Sequence, residues 1–364
     1  MDQVAREGAA GDGMVTFSPQ SPRIFLLVRK SSALLLVLSL AAACTQGGSG
    51  GGTTTPPDNG KAPDNQFGVY LSPRDFDIEE RIRLAQEMGV RYFRSYPALV
   101  PVWNGQCSEC SAVQAAGLQF ILTIRNTANL GSAAGSISDI EGFKRAVGEI
   151  LDQYKPALAI VENEEDVPRY FTGTADDYIS ELRTVCELAH QRGIKCANGG
   201  ITYTGVTWLT YQHYVDAGQL SEAQSFSLRG LDRGQQSRLS SPQGQQVAQQ
   251  VVDHEMSLVT HYKDAGADYM NIHWYPADAG AFMESVQYFE ELTGLPVISN
   301  EIGQQHSTDP GAVTAMLNAI VELKMPIAVW FSSDSGFADG LVDPDGSLRS
   351  NGSAFASFVQ SHSG

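Results

Sequence analysis

Positive charge is scarce in this chain. It has 24 lysines and arginines against 41 aspartates and glutamates, a formal net charge of −17 over 364 residues. Proteins that hold nucleic acid carry a basic patch or stripe, so this balance excludes that class of partner. Long apolar runs are also lacking. The most apolar stretch, Ala33 to Ala43, falls short of the ~20 residues a membrane-spanning helix needs. Cysteines number five. Four of them, Cys107, Cys110, Cys186 and Cys196, form two unlike pairs that fit a zinc site poorly. No glycine-rich turn follows the first β-forming run, where the chain reads Leu71-Ser72-Pro73. That argues against a doubly wound dinucleotide-binding sheet. No repeat is present. The hydrophobic share of 42% is enough for a sizeable core.

The first 66 residues stand apart from the rest. Arg29 and Lys30 precede the run Ala33 to Ala43, which ends in small residues before Cys44. A basic stretch, a short apolar stretch and small residues describe a secretory signal. Ala41-Ala42-Ala43-Cys44 resembles the lipobox of bacterial lipoproteins, although the usual leucine stands four residues before the cysteine, at Leu40, rather than three. The resemblance implies acylation of Cys44 and an exported, membrane-anchored protein, periplasmic or at the cell surface. Residues 45–66, rich in Gly, Thr and Pro, read as a flexible linker. In an exported chain the pairs Cys107–Cys110 and Cys186–Cys196 are expected as local disulfides.

From residue 67 to 362 strand-like and helix-like stretches alternate, which predicts a parallel α/β architecture. Eight β-forming runs are legible: 67–71, 91–96, 120–124, 157–163, 194–198, 268–274, 296–300 and 326–331. Between them lie helical spacings. One carries Ile78, Ile82, Ala85 and Met88, and another opens on Ser138-Asp139-Ile140-Glu141, a capping box. Further helices are expected from near Thr174 and from Asp309-Pro310. Between the fifth and sixth runs, residues 199–250 show a helix near Trp208 to Val215 and a glutamine-rich polar stretch. Eight strands with intervening helices in one domain predict a (β/α)₈ TIM barrel.

Glutamates end two of these runs. Val161-Glu162-Asn163-Glu164-Glu165 closes the fourth, and Ile298-Ser299-Asn300-Glu301-Ile302-Gly303 closes the seventh. In such a barrel the C-terminal strand ends build the active site. Breaking an acetal needs a proton for the leaving oxygen and a group that meets the cationic carbon, so two carboxyl groups suffice. Their environments must hold one neutral and the other ionised.

The ordered set resembles clan A of the glycoside hydrolases, retaining TIM-barrel enzymes with an Asn-Glu pair after strand four and a glutamate after strand seven. The resemblance implies Glu164 as acid/base and Glu301 as nucleophile, with Asn163 positioned for a sugar hydroxyl. It implies that Arg94 supports the nucleophile, that His273 and Tyr275 stand beside it, and that Trp330 forms a sugar floor. Trp274, Trp103 and Trp208, like Trp330, fall at or beyond strand ends, a placement that suits a saccharide cleft; Tyr170 and Tyr203 are weaker candidates. The expected partner is an oligo- or polysaccharide, with no cofactor and no metal.

Glu162 departs from the simple pattern. Two residues before Glu164 on an ideal strand, it would share that face and crowd the carboxyl groups. Two other readings stay open. One is a surface lipoprotein that binds glycan without cleaving it. The other is a metal-dependent sugar isomerase barrel using Glu164, His273 and Glu301 as ligands.

Overall fold

The computed structural model describes residues 65–304, 307–332 and 340–362. The signal-like run, Cys44 and almost all of the linker lie outside the described residues.

Parallel strands form one sheet that curls on itself. β1 (Phe67–Leu71) pairs with β2 (Tyr92–Arg94), which pairs with β4 (Gln119–Arg125), then β5 (Leu158–Val161) and β6 (Lys195–Asn198). On its other side β1 pairs with β9 (Ala328–Ser332), then β8 (Val297–Ile302) and β7 (Met270–Trp274). Bridges Ala197↔Tyr269 and Ile201↔Ile272 join β6 to β7 and close the ring. The two-residue β3 (Ala98–Leu99) pairs with β4 off this path. The eight barrel strands match the eight predicted runs, and the (β/α)₈ fold is the one expected.

Side-chain alternation divides the core in two. Tyr92, Ile121, Leu158, Ile160, Ala197, Ile298, Ile327 and Val329 fill the barrel. Their neighbours Phe93, Phe120, Leu122, Ala159, Cys196, Val297 and Trp330 face outward under the helices. Capping residues start those helices where the sequence places them, with one shift. Asp139, not Ser138, caps α3 (Ile140–Tyr154) by accepting from the Gly142 N–H at 2.9 Å. Thr174 and Asp177 form a reciprocal box at the start of α4 (Ala175–His190), and Asp309 with Pro310 opens a later helix, 310–322.

The polar stretch 219–250 is more ordered than its composition implies. After α5 (Tyr203–Asp216) come α6 (Leu220–Gly230), α7 (Arg233–Leu239) and α8 (Pro242–Val259). Asp232 and Gln235 box the start of α7, and Ser241 caps α8 before Pro242. A few buried apolar groups, Phe226, Leu231, Ala248 and Val252, suffice to hold these helices on the barrel.

Both expected disulfides form. Cys107–Cys110 stands at the N-terminal end of α2 (Cys110–Ala115), and Cys186–Cys196 ties α4 to β6. Among the described residues no helix is long and apolar enough to cross a membrane.

Candidate active site

Alternation also selects what reaches the barrel mouth. On β2, Tyr92 faces in and so does Arg94. Ile327, just before β9, and Val329 on it face in, so the next inward side chain is Phe331 and not Trp330. Trp330 is 2% exposed and packs against Phe355, with ring centroids 5.6 Å apart. It is not a sugar floor. Trp274 is fully buried against Phe282, and Trp208 is buried too. Adjacent residues on one strand face opposite ways, so an inward His273 sends Trp274 outward. Trp103 packs on Tyr154. The aromatic lining belongs instead to Tyr70, Tyr96, Tyr170, Tyr275 and Phe331, around a cleft of about 380 Å³. Tyr203 sits edge-on to Tyr275.

Glu301 stands at the centre. Arg94 Nη1 donates to its Oε1 at 2.6 Å, and the Tyr275 hydroxyl donates to Oε2 at 2.6 Å. Burial alone would favour a neutral Glu301. The charges of His273 and Arg94 and the Tyr275 bond outweigh it, and the net shift is below the ordinary carboxylate value. Burial and the charge of Glu301 push Tyr275 well above the ordinary tyrosine value, so it remains a donor. Arg94 lies against the stacked pair of Tyr70 and Phe331, 5.5 and 5.6 Å from ring centroids that are 4.7 Å apart. Its Nη2 donates to Asn163 Oδ1 at 3.3 Å, which places Asn163 on the cleft wall beside Glu164.

Glu164 reaches the cleft by a bent loop, not from a strand. β5 ends at Val161, and Glu162 and Glu164 adopt φ of 66° and 47°. The two side chains therefore part instead of sharing a face. Glu162 is fully buried, bound to Arg125 Nε at 3.2 Å and to the Asn126 N–H. Burial raises its pKa despite Arg125, and raises that of the adjacent Glu181 well above the ordinary value. Glu162 fastens the loop and has no access to substrate. Glu165 accepts from the Tyr262 hydroxyl at 2.7 Å and from Asn198 Nδ2 at 3.0 Å. Asp166 accepts from the Thr202 N–H at 3.1 Å and its hydroxyl at 2.5 Å. Three of the four acidic side chains in these five residues thus anchor the loop, and Glu164 is the one left at the cleft.

His273 joins the two glutamates. Its Nδ1 lies 3.0 Å from Glu164 Oε1 and 3.5 Å from Glu301 Oε2. Its protonation follows from a chain of amides. Asn271 Oδ1 accepts the Asn300 N–H, so Asn271 Nδ2 donates, and it meets Asn300 Oδ1 at 2.8 Å. That same oxygen faces His273 Nε2 at 2.9 Å, so Nε2 carries a proton. One further proton is then shared between Nδ1 and Glu164. Burial opposes a charge on His273, but Glu301 and the Glu164 bond outweigh it, and the net shift is upward. Gly200, at φ +100°, makes room for this ring, because a Cβ there would overlap His273 Nε2.

A family model described as a glycosyl hydrolase catalytic core matches residues 223–355, a span that holds His273, Tyr275 and Glu301. That part of the chain is similar to a glycoside hydrolase core. Among solved structures, a GH128 subgroup II endo-β-1,3-glucanase from Pseudomonas viridiflava matches with TM-score 0.50 and 14% identity, over 81% of this chain and 98% of that one. A GH128 subgroup VI exo-β-1,3-glucanase from Aureobasidium namibiae matches with TM-score 0.51 and 11% identity, over 81% and 97%. A GH128 subgroup VII oligosaccharide-binding protein from Trichoderma gamsii gives TM-score 0.47 and 13% identity, over 84% and 98%. No curated protein matches in sequence. The likenesses to the two glucanases show the fold; the chemistry is read from the cleft residues.

Proposed function

We propose that this glycosidase works by double displacement with retention of anomeric configuration. The observation that carries this reading is the closeness of the two carboxyl groups: one oxygen of Glu164, one of Glu301 and a ring nitrogen of His273 all lie within 4.8 Å of one another. Retaining enzymes hold their carboxyl groups ~5–5.5 Å apart, whereas inverting ones need ~6.5–9.5 Å to admit water.

Glu301, held ionised by Arg94 and Tyr275, forms a bond to the anomeric carbon as the glycosidic C–O bond breaks. Glu164 gives its proton to the leaving oxygen. Water then attacks the same carbon, its proton passes to Glu164, and the bond to Glu301 breaks. The proton shared with His273 Nδ1 is the one Glu164 delivers in the first step, and the proton taken from water in the second restores it. The substrate is an oligo- or polysaccharide. A β-1,3-glucan is the first to try, because both glucanases named above act on that linkage.

The test is product stereochemistry by NMR on the wild type, with two variants. Glu301→Gln is expected to lose ~10³-fold or more in kcat on every substrate. Glu164→Gln should slow substrates with poor leaving groups far more than activated aryl glycosides. An inverted product, or near-normal turnover by Glu301→Gln, refutes the assignment.

The cluster Glu164, His273 and Glu301 has the geometry of a metal site, as the isomerase reading requires. Arg94, 2.6 Å from Glu301, speaks against it, since a cation there would face the guanidinium charge. Activity that survives a chelator separates the two readings. Export with lipid attachment at Cys44 is proposed alongside, supported by the two disulfides, which belong in an oxidising compartment.

A further inference from the structure

The cleft does not end at Tyr96. A second cavity of about 420 Å³ adjoins it, and Arg74 and Tyr96 line both. Each cavity falls near the low end of the ~300–1,000 Å³ that ligand sites occupy. Tyr96 stands between them, 36% exposed, with an aromatic face available to the apolar side of a sugar ring.

The wall of the second cavity is chemically unusual. Arg81 is 5% exposed, yet only one of its nitrogens has a strong partner: Nη2 meets Glu109 Oε2 at 3.2 Å. Its Nε and Nη1 are buried without a hydrogen-bond partner. Glu109, 8% exposed, takes the Ser95 hydroxyl on its other oxygen at 3.3 Å. Buried guanidinium donors are rarely left unused, because their desolvation is then uncompensated. Arg81 and Glu109 both line this cavity, and a guanidinium beside a carboxylate suits a sugar hydroxyl, which accepts from the one and donates to the other.

We propose that this second cavity is a distal subsite for a neutral sugar unit of the same chain that is cut in the cleft. Arg81 and Glu109 bind its hydroxyls and Tyr96 stacks on the ring between subsite and cleavage point. The substrate then runs through an open groove, and the enzyme cuts inside a polysaccharide chain instead of trimming its end. This rests on the glycosidase reading of the adjoining cleft, but its test does not.

The test measures binding in the Glu301→Gln background by calorimetry. The probes are the tri- and hexasaccharides of β-1,3-glucan, β-1,4-glucan, β-1,4-xylan and β-1,4-mannan. For the sugar the cleft accepts, the hexasaccharide is expected to bind about tenfold more tightly than the trisaccharide, the scale of one charged hydrogen-bond set. Ser108→Trp fills the second cavity from its exposed rim and should abolish that gain while leaving trisaccharide binding intact. Arg81→Lys, with melting temperature checked, should shrink the gain, because an ammonium cannot supply the guanidinium fork. No length gain for any of the four sugars overturns the proposal. So does a gain untouched by Ser108→Trp. A gain that Ser108→Trp removes, in a wild type that cleaves nothing, would leave the subsite standing and refute the glycosidase reading. Cleavage of aryl glycosides with no length gain would do the reverse.

Discussion

Nδ1 of His273 stands 3.0 Å from Glu164 and 3.5 Å from Glu301, so one ring nitrogen serves both carboxyl groups. The first contact shares a proton, and the second lowers the pKa of Glu301.

His273→Asn should separate these roles. Loss of the imidazolium raises the pKa of Glu301, so the acid limb of kcat/KM should move to higher pH. The rate at the optimum should fall by ~10²-fold, the scale of one proton-handling group. The check is a full pH–rate profile; a slower enzyme with an unmoved acid limb would assign His273 to packing alone.

Buried acids behind the loop should set how stability depends on pH. Burial, with the charge of Asp166, pushes Glu165 to about 7, and burial pushes Asp166 to about 6. Both are raised in the folded state, so their contribution is fully present below the ordinary carboxylate values and is lost as pH rises through 6 to 7. Glu301 is lowered, so its contribution is lost as pH falls through its folded value. Stability should peak in mildly acidic solution and decline toward pH 8. For Glu165 alone the decline is on the order of 3 kcal/mol. Glu165→Gln should flatten it and raise Tm at pH 8 by a few degrees in calorimetric scans. A lower Tm at pH 8 would mean that Glu165 is ionised and useful there.

The outward tryptophan and the inward phenylalanine of β9 should give opposite phenotypes. Trp330→Phe should cost ~1–3 kcal/mol of stability with kcat/KM nearly unchanged. Phe331→Ala should weaken substrate binding and loosen Arg94, whose guanidinium lies over its ring. Denaturant melts and steady-state kinetics on the same preparations decide it. A Trp330 variant impaired mainly in KM would restore the sugar-floor role.

Export can be checked apart from catalysis. Cys44→Ser should move the protein from the membrane fraction to the soluble one, and labelled acyl chains should no longer be incorporated. Protein purified without reductant should show no free thiol at Cys107, Cys110, Cys186 or Cys196. Reduction of Cys186–Cys196, which spans ten residues, should cost ~2–4 kcal/mol. A wild type that is wholly soluble and unacylated would refute the anchor.

The sequence by itself determined the barrel and most of its mouth. Eight β-forming runs with helices between them leave few architectures. Arg94, Glu164, His273, Tyr275 and Glu301 were all legible because each stands at or just past the C-terminal end of a strand. Strand parity was legible too: Ile327, Val329 and Phe331 alternate with Trp330, and His273 is next to Trp274. Reading sugar chemistry into the tryptophans ignored that alternation. The caps Asp232 and Ser241 likewise marked the helices within 219–250.

Only the tertiary structure decided which acid of the 162–166 loop faces the cleft. Those acids are near neighbours in sequence, and their fates depend on backbone turns at Glu162 and Glu164 and on partners far along the chain. Arg125 takes Glu162, Tyr262 and Asn198 take Glu165, Thr202 takes Asp166, and His273 receives Glu164. A carboxyl group's role is set by its desolvation and by the charges facing it, and both exist only once the barrel has closed.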